Sequence, residues 1–141
     1  MNNEAAIREL IDRFANAFRA KDVDAVMSFV ARDIVSFDIL PPLQAVGADT
    51  FVKHWQEFFD SYQSPMHVEF PDVRISAGDD VAFSHCLHRV KGTLKNGQET
   101  DWWLRWTACY RKTDGKWLIV HEQVSVPADL RSGKAMMDLK P

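Results

Sequence analysis

The sequence has few of the features that mark metal sites, disulfide frameworks or membrane spans. Its 141 residues include two cysteines, Cys86 and Cys109, and both lie in segments that alternate like strands. Such thiols fit reduced core side chains, so we expect no metal site and no cofactor. No segment approaches the roughly 18 uncharged apolar residues of a membrane helix. The N-terminus also lacks the basic and apolar stretches of a signal peptide, so we expect a cytoplasmic protein with no membrane partner.

An excess of basic charge is also absent. Seventeen Lys and Arg residues face 20 Asp and Glu residues, and the basic residues are scattered rather than clustered. Without a basic patch, nucleic acid is not an expected partner. A chain of this length with 46% hydrophobic residues suffices for one core, so we predict a single domain over residues 1–141.

Apolar residues in the first half recur at helical spacing. Ile7 to Phe18 predict a helix that Asn2 or Asn3 caps, and Asp22 predicts the cap of a short second helix. A third helix is expected to open near Gly47, with a wide apolar stripe that ends near Tyr62. Between them, residues 34–40 are rich enough in β-branched and aromatic residues to predict a strand, which two prolines end.

From Met66 onward the apolar period changes to two. Residues 81–94, 98–112 and 116–126 read as long strands, joined by Asn-Gly and Asp-Gly turns. Helices followed by hairpins predict an α+β domain, in which helices cover one face of a curved, mostly antiparallel sheet. The tail after Pro127 has little pattern.

Two-residue turns at both hairpins would fix which side chains share a face. His88 would lie opposite Arg105, and Thr107 would lie opposite both Cys86 and Glu122. One face would then gather His88, Arg105, Glu122, Trp103, Cys86 and Val124, and the other Trp102, Trp106, Tyr110, Trp117, Ile119 and His121. A bulge of one residue would exchange the faces of a whole strand. The second set would leave an exposed aromatic patch, which predicts a homodimer through the convex sheet face.

Asp38 stands between Phe37 and Ile39 in an otherwise apolar strand. An ionised group is costly to bury without partners. The carboxylate therefore either faces solvent, with its neighbours supplying the core by alternation, or faces a site arranged to receive it.

The layout resembles the SnoaL-like, ketosteroid-isomerase-like members of the nuclear transport factor 2-like superfamily. The motifs that carry this resemblance are FD-x-x-PP near Asp38, W-x-R-x-T at residues 103–107 and HE-x-VSVP at residues 121–127, and it covers roughly residues 5–127. The resemblance implies a cone-shaped pocket between the helices and the concave sheet face. It also places Asp38 in that cone, as a general base.

The sequence departs from that family at the oxyanion hole. The family uses a tyrosine on the first helix and a protonated acid on a later strand, and the aligned positions here are Phe14 and Thr107. Steroid isomerisation by that route is therefore not expected. The polar residues expected in the pocket instead are His88, Arg105 and Glu122.

Each of these residues also has a structural interpretation. Arg105 either holds a substrate's negative charge or forms an ion pair with Glu122 or Asp38. His88 is the first choice for a titrating imidazole, with His85 and His121 as alternatives. The other expected substrate contacts, some of which also serve the core, are Phe14, Trp55, Phe59, Cys86, Trp103, Thr107 and Val124.

Two functions remain open from the sequence. The first is a cofactor-independent isomerase, dehydratase or cyclase in which Asp38 removes a proton, His88 relays it and Arg105 stabilises negative charge. The second is a non-catalytic pocket or association module that binds small organic anions through Arg105. The expected ligand is thus small and either apolar or anionic.

Overall fold

The protein, seen here as a computed structural model, is described over residues 2–141. Its helices are α1 (Asn3–Arg19), α2 (Val23–Met27) and α3 (Ala48–Asp60), and its strands are β1 (Val30–Phe37), β2 (Ala45–Val46), β3 (His67–Glu69), β4 (Arg74–Ala77), β5 (Val81–Thr93), β6 (Glu99–Thr113), β7 (Lys116–Ser125), β8 (Ala128–Asp129) and β9 (Lys134–Ala135). Within the described residues, no helix has both the length and the apolar character that crossing a membrane requires.

The first two helices begin at the predicted caps. The Asn2 side chain accepts a hydrogen bond from the Ala5 N–H at 2.7 Å, and that of Asp22 accepts one from Ala25 at 3.1 Å. Caps of this kind contribute about 1 kcal/mol each. The predicted stripe of α1 is buried, and it comprises Ile7, Leu10, Ile11, Phe14 and Phe18.

Seven strands form one open, curved sheet in the order β2-β1-β7-β6-β5-β3, with β4 also paired to β5. β1 runs parallel to β7, whereas the other pairings of this sheet are antiparallel. The helices pack on one face, and the core lies between them and the sheet. The predicted α+β class is therefore confirmed. The tail forms a small separate β8–β9 hairpin.

The β5–β6 hairpin differs from the prediction by one residue. Thr93 pairs with Glu99, and the Leu94 N–H donates to the Gln98 carbonyl, so three residues, 95–97, form the loop. Gly97 closes the loop with a φ of 90°, a conformation that favours glycine. The predicted two-residue turn was wrong, and His88 lies opposite Leu104 rather than Arg105.

The β6–β7 hairpin begins in the predicted register and then shifts. Thr113 pairs with Lys116 across a two-residue turn, but a bulge follows between the Tyr110–Ile119 and Cys109–His121 pairs. The extra residue exchanges the faces of the rest of β7 relative to those of β6, so that Glu122 and Val124 share a face with the even-numbered residues of β6. Glu122 consequently lies opposite Ala108 instead of Thr107.

These two shifts reverse the predicted faces of β6. Its even-numbered side chains face the helices, and Trp106 and Tyr110 are 2% and 1% exposed. Trp102, Trp106, Tyr110, Trp117 and Ile119 therefore belong to the core or pack against it and do not form the exposed patch on which the dimer prediction was based. Arg105 and Thr107 are exposed on the outer face.

Candidate functional site

A cavity of about 480 Å³, which we call the cone, lies between the helices and the inner face of the sheet. Side chains from α1, α3, β5, β6 and β7 line it, together with the segment after β1 and the C-terminal tail. The lining is mainly apolar, with a few polar groups among aromatic rings. This is the usual composition of a small-molecule site.

Aromatic rings form much of the wall. Phe14 stacks on Trp106 with ring centroids 5.7 Å apart and planes 6° from parallel. The ring of Trp55 contacts the rings of Phe14 and Phe18 edge-on, with centroids 5.7 and 5.0 Å apart. Because these rings also hold α1, α3 and β6 together, the wall is part of the core and is preformed.

A second cleft lies outside the cone, between α1 and the segment after β3. It has a volume of about 740 Å³, and Arg8, Asp12, Asn16, Arg19 and Asp72 are among its lining residues. Phe70 lines both cavities and so forms a wall between them. The cone is the better candidate site because buried titratable groups converge in it, whereas the outer cleft presents charges that water already solvates.

Asp38 lies in the cone directly after β1. One carboxyl oxygen accepts a hydrogen bond from the Ile39 N–H at 2.7 Å, and the other lies 3.8 Å from Nδ1 of His54 on α3. Burial raises the pKa of Asp38, while the Ile39 hydrogen bond and His54 act in the opposite direction. The side chain is a partly desolvated carboxyl at the cavity, not a solvent-facing strand residue.

Glu122 is a second carboxyl in the same cone. It lies on β7 beside Ser36 of β1, and its Oε2 accepts a hydrogen bond from Nε1 of Trp106 on β6 at 2.8 Å. The Ser36 hydroxyl lies 3.4 Å from Oε1. Burial raises the pKa of Glu122 to about 7, with the charge of Asp38 adding to the rise and the hydrogen bond from Trp106 opposing it. Glu122 therefore changes its charge near neutral pH.

His88 lines the cone as a neutral imidazole. Its ring stacks on Phe70, with centroids 4.4 Å apart, and its Nδ1 lies 3.3 Å from the Glu69 carbonyl oxygen. Burial lowers the pKa of His88 to about 4. Because a carbonyl oxygen only accepts, Nδ1 carries the proton in this bond and Nε2 is left as an acceptor.

The structure leaves several predicted site residues outside the cone. Arg105 is exposed on the outer face, where its Nε donates to the Ser125 hydroxyl at 3.0 Å, because the β5–β6 loop has one residue more than predicted. Trp103 and Thr107 lie on the same face for the same reason. Cys86 and Phe59 are on the inner side but pack into the core and do not line the cavity.

The alternative histidines also lie elsewhere. His121 donates from Nδ1 to the Val35 carbonyl at 2.6 Å, and its ring meets Phe37 edge-on. His85 is exposed on β5. The cone therefore holds Asp38, His88 and Glu122 together, with Phe14, Trp55 and Val124 among its walls.

Four contributions to the site were not predicted from the sequence. His54 follows Phe51 by three residues on the buried stripe of α3, so its position was readable from helical spacing. Trp106 and Ser36 hold Glu122 only because of the register shifts. The tail, which has no sequence pattern, also supplies lining residues.

Within residues 2–141, no three side chains among His, Cys, Asp and Glu are grouped to hold a metal ion. The histidines of the cone instead meet a carboxylate and a backbone carbonyl. The side chains of this site can supply proton transfer and hydrogen bonding.

Comparison with known proteins identifies the domain type. A protein-family model described as the SnoaL-like domain matches residues 7–129. No curated protein matches the sequence.

Solved structures share the whole architecture. A nuclear transport factor 2-like protein of unknown function from Pseudomonas putida is 33% identical, with a TM-score of 0.90 over 98% of this chain and 96% of its own. A ketosteroid isomerase-like protein from Erwinia carotovora atroseptica is 25% identical, with a TM-score of 0.75 over 89% and 97%. A protein from Streptomyces avermitilis, proposed to be a dehydratase of the nuclear transport factor 2-like family, is 13% identical and shares the fold, with a TM-score of 0.75 over 86% and 93%.

Proposed function

The chain belongs to the SnoaL-like domain family, and from this premise we propose that it is an acid–base enzyme of the isomerase or dehydratase type that acts on a small, apolar, uncharged carbonyl compound. The observation that carries the proposal is the presence of two carboxyl groups in different environments of one apolar cavity. When different environments separate the pKa values of two titrating groups, one group is suited to be the base and the other to be the acid.

Asp38 is the base in this proposal. It keeps the Ile39 hydrogen bond and the nearby His54, both of which favour its ionised form. Partial burial makes a carboxylate a stronger base than it is in water. Its task is to remove a proton from carbon next to the substrate carbonyl and to return that proton at another position.

Glu122 is the acid in this proposal. Its higher pKa arises partly from the charge on Asp38, so the ionised form of one favours the protonated form of the other. A protonated Glu122 donates a hydrogen bond to the substrate oxygen as negative charge develops there. This is the role that Arg105 was expected to have, and Arg105 is on the wrong face to fill it.

His88 orients the substrate. Its Nε2 accepts a hydrogen bond from carbonyl compounds that also carry a hydroxyl group, while the stacked Phe70 and the Glu69 carbonyl hold the ring in place. Proton relay through this ring is less favourable than predicted because burial lowers its pKa to about 4.

An uncharged substrate is favoured by the electrostatics of the cone. Its ionisable lining residues among residues 2–141 are Asp38, Glu57, Glu122, His54, His88 and Tyr62, with no Lys or Arg. A carboxylate ligand would have to approach these three acidic groups without a fixed cation, which is costly in an apolar cavity. The anion-binding alternative loses its support with the position of Arg105.

Exchange of α-protons of small aryl ketones for solvent deuterium, followed by proton NMR, tests the proposal. Asp38→Asn keeps the size of the side chain and removes the base, so the enzyme-dependent exchange rate should fall by about a hundredfold or more. Two controls should retain the rate: Arg105→Met on the outer face and Glu57→Gln, an exposed carboxylate at the cavity. Equal exchange by wild type and Asp38→Asn would contradict the proposal.

A second candidate is a binding protein that uses the same cone without chemistry. It is supported by the preformed aromatic wall, which needs no base to hold an apolar ligand. In that case ketone binding would be retained in every variant and none, including wild type, would exchange protons above the buffer rate.

A further inference from the structure

The C-terminal segment, residues 127–141, folds on itself beside the cone. Its strands β8 and β9 pair with each other, and the Met136 N–H donates to the Pro127 carbonyl at 2.9 Å. Asp129 accepts hydrogen bonds from the Arg131 N–H at 3.0 Å and from the Ser132 hydroxyl at 3.1 Å. The hairpin thus satisfies many of its polar groups internally.

Two side chains of this segment reach the cavity. Ala135 and Met137 line the cone, whereas Met136 between them does not. Ala135 ends β9 and Met137 lies in the turn that follows it, so the end of the hairpin borders the cavity. Met137 also packs against the core, while Leu130 at the hairpin tip is 91% exposed.

Met137 and Lys140 both connect the segment to the rest of the domain. Lys140 lies 3.9 Å from Asp101, but the lysine is mostly exposed, and such ion pairs contribute little. The family match ends at residue 129, so Ala135 and Met137 add a wall beyond the matched domain. Met137 is the larger of the two tail side chains that bound the ligand space.

We propose that Met137 is a specificity-determining residue, whose side chain limits the length of ligand that the cone accepts. Methionine is unbranched and fills irregular space, so it closes the cavity without a rigid shape of its own. Shortening this side chain should lengthen the cavity on the tail side. The inference rests on the proposed ligand-binding role of the cone but not on its acid–base chemistry.

Two uncharged fluorescent dyes of different length test the inference. The shorter is N-phenyl-1-naphthylamine, and the longer is the rigid, planar Nile red. Met137→Ala should bind Nile red at least about tenfold more tightly than wild type, because this is the scale expected when an overpacked contact is relieved. The affinity for the shorter dye should change by less than about threefold. Met137→Phe should weaken the binding of Nile red.

The matched control is Met136→Ala, which removes the neighbouring methionine and should leave both dissociation constants unchanged. Equal affinity of wild type and Met137→Ala for Nile red, including no binding by either, would overturn the inference. Should Met137→Ala fail to fold, unchanged dye affinities in Met137→Phe would overturn it instead. The proton-exchange test of Asp38→Asn does not depend on Met137, so each proposal can fail alone.

Discussion

At the scale of single residues, the chemistry of the cone depends on where two carboxyl groups obtain their hydrogen bonds. Asp38 was recognisable from the sequence because a carboxylate interrupts an apolar strand. Glu122 was also singled out, either as a partner for Arg105 or as a second acid in the pocket. Its actual partners are Trp106 and Ser36, and these contacts depend on strand registers that include a bulge. No single residue of the sequence predicts that bulge.

Burial of Glu122 makes the stability of the protein depend on pH. Its pKa is about 7 in the folded protein against 4.5 when exposed, so the folded state holds a proton that the unfolded state releases as the pH rises through this interval. The contribution of Glu122 to the free energy of unfolding should therefore fall by about 3 kcal/mol between about pH 4.5 and 7. Urea denaturation of wild type and Glu122→Gln across pH 5–8 measures this loss.

The prediction concerns the difference in free energy of unfolding between wild type and Glu122→Gln, because the titration of His88 changes stability in the opposite direction. Its lowered pKa means that the unfolded state gains a proton below about pH 6.5, so its contribution to stability rises with pH. Both proteins contain His88, and its effect cancels in the difference. A difference between wild type and Glu122→Gln that stays constant from pH 5 to 8 would show that Glu122 has an ordinary pKa.

At the scale of elements, helices were easier to predict than hairpin registers. The caps at Asn2 and Asp22 and the stripe of α1 are local signals, and they are where the sequence indicated. The Asn96-Gly97 pair marked the correct hairpin but allowed both a two-residue and a three-residue loop. Because side chains alternate along a strand, that one residue was enough to move Arg105 from the cone to the outer face.

Close packing of Tyr62, in the segment after α3, against the sheet gives a prediction for β5. A Cβ atom on Gly92 would lie 2.8 Å from the ring of Tyr62, whose hydroxyl makes a buried 2.7 Å hydrogen bond with Thr100. Gly92→Ala should therefore lower the free energy of unfolding by about 1–3 kcal/mol, because the ring cannot move without disturbing that bond. Urea denaturation measures the loss. The neighbouring exposed control Lys91→Ala should remain within about 0.5 kcal/mol of wild type, and the same result for Gly92→Ala would contradict the packing argument.

At the scale of the whole molecule, the outer sheet face remains the expected dimer surface, although with different residues. The aromatic side chains first assigned to it are in the core or pack against it. Phe83 and Leu87 on β5 are instead 48% and 40% exposed on that face. Exposed apolar side chains on one sheet face favour association with a second copy.

We therefore expect a homodimer at micromolar concentration, measured by sedimentation velocity. Leu87→Asp should shift the protein to monomer because it places a charge within the apolar contact. The control Leu130→Asp, at the exposed tip of the tail, should remain dimeric. A wild-type monomer at this concentration would rule out the interface.

The family and the general architecture were accessible from the sequence, because the order of elements and the motifs around Asp38 and His121 are local. The composition of the site was accessible only in part. Asp38, His88 and Glu122 do converge, but which residues surround them depends on long-range pairing and on a tail without periodicity.

The proposed chemistry requires that Asp38 and Glu122 share one cone as a coupled base and acid. Carbon-13 NMR titration of labelled carboxyl groups, assigned with Asp38→Asn and Glu122→Gln, tests this claim without a substrate. The expected result is a Glu122 midpoint near pH 7 that falls when Asp38→Asn removes the neighbouring charge, with Asp38 itself titrating above its usual pKa of 3.8. A Glu122 midpoint near its ordinary 4.5, unaffected by Asp38→Asn, would contradict this coupling.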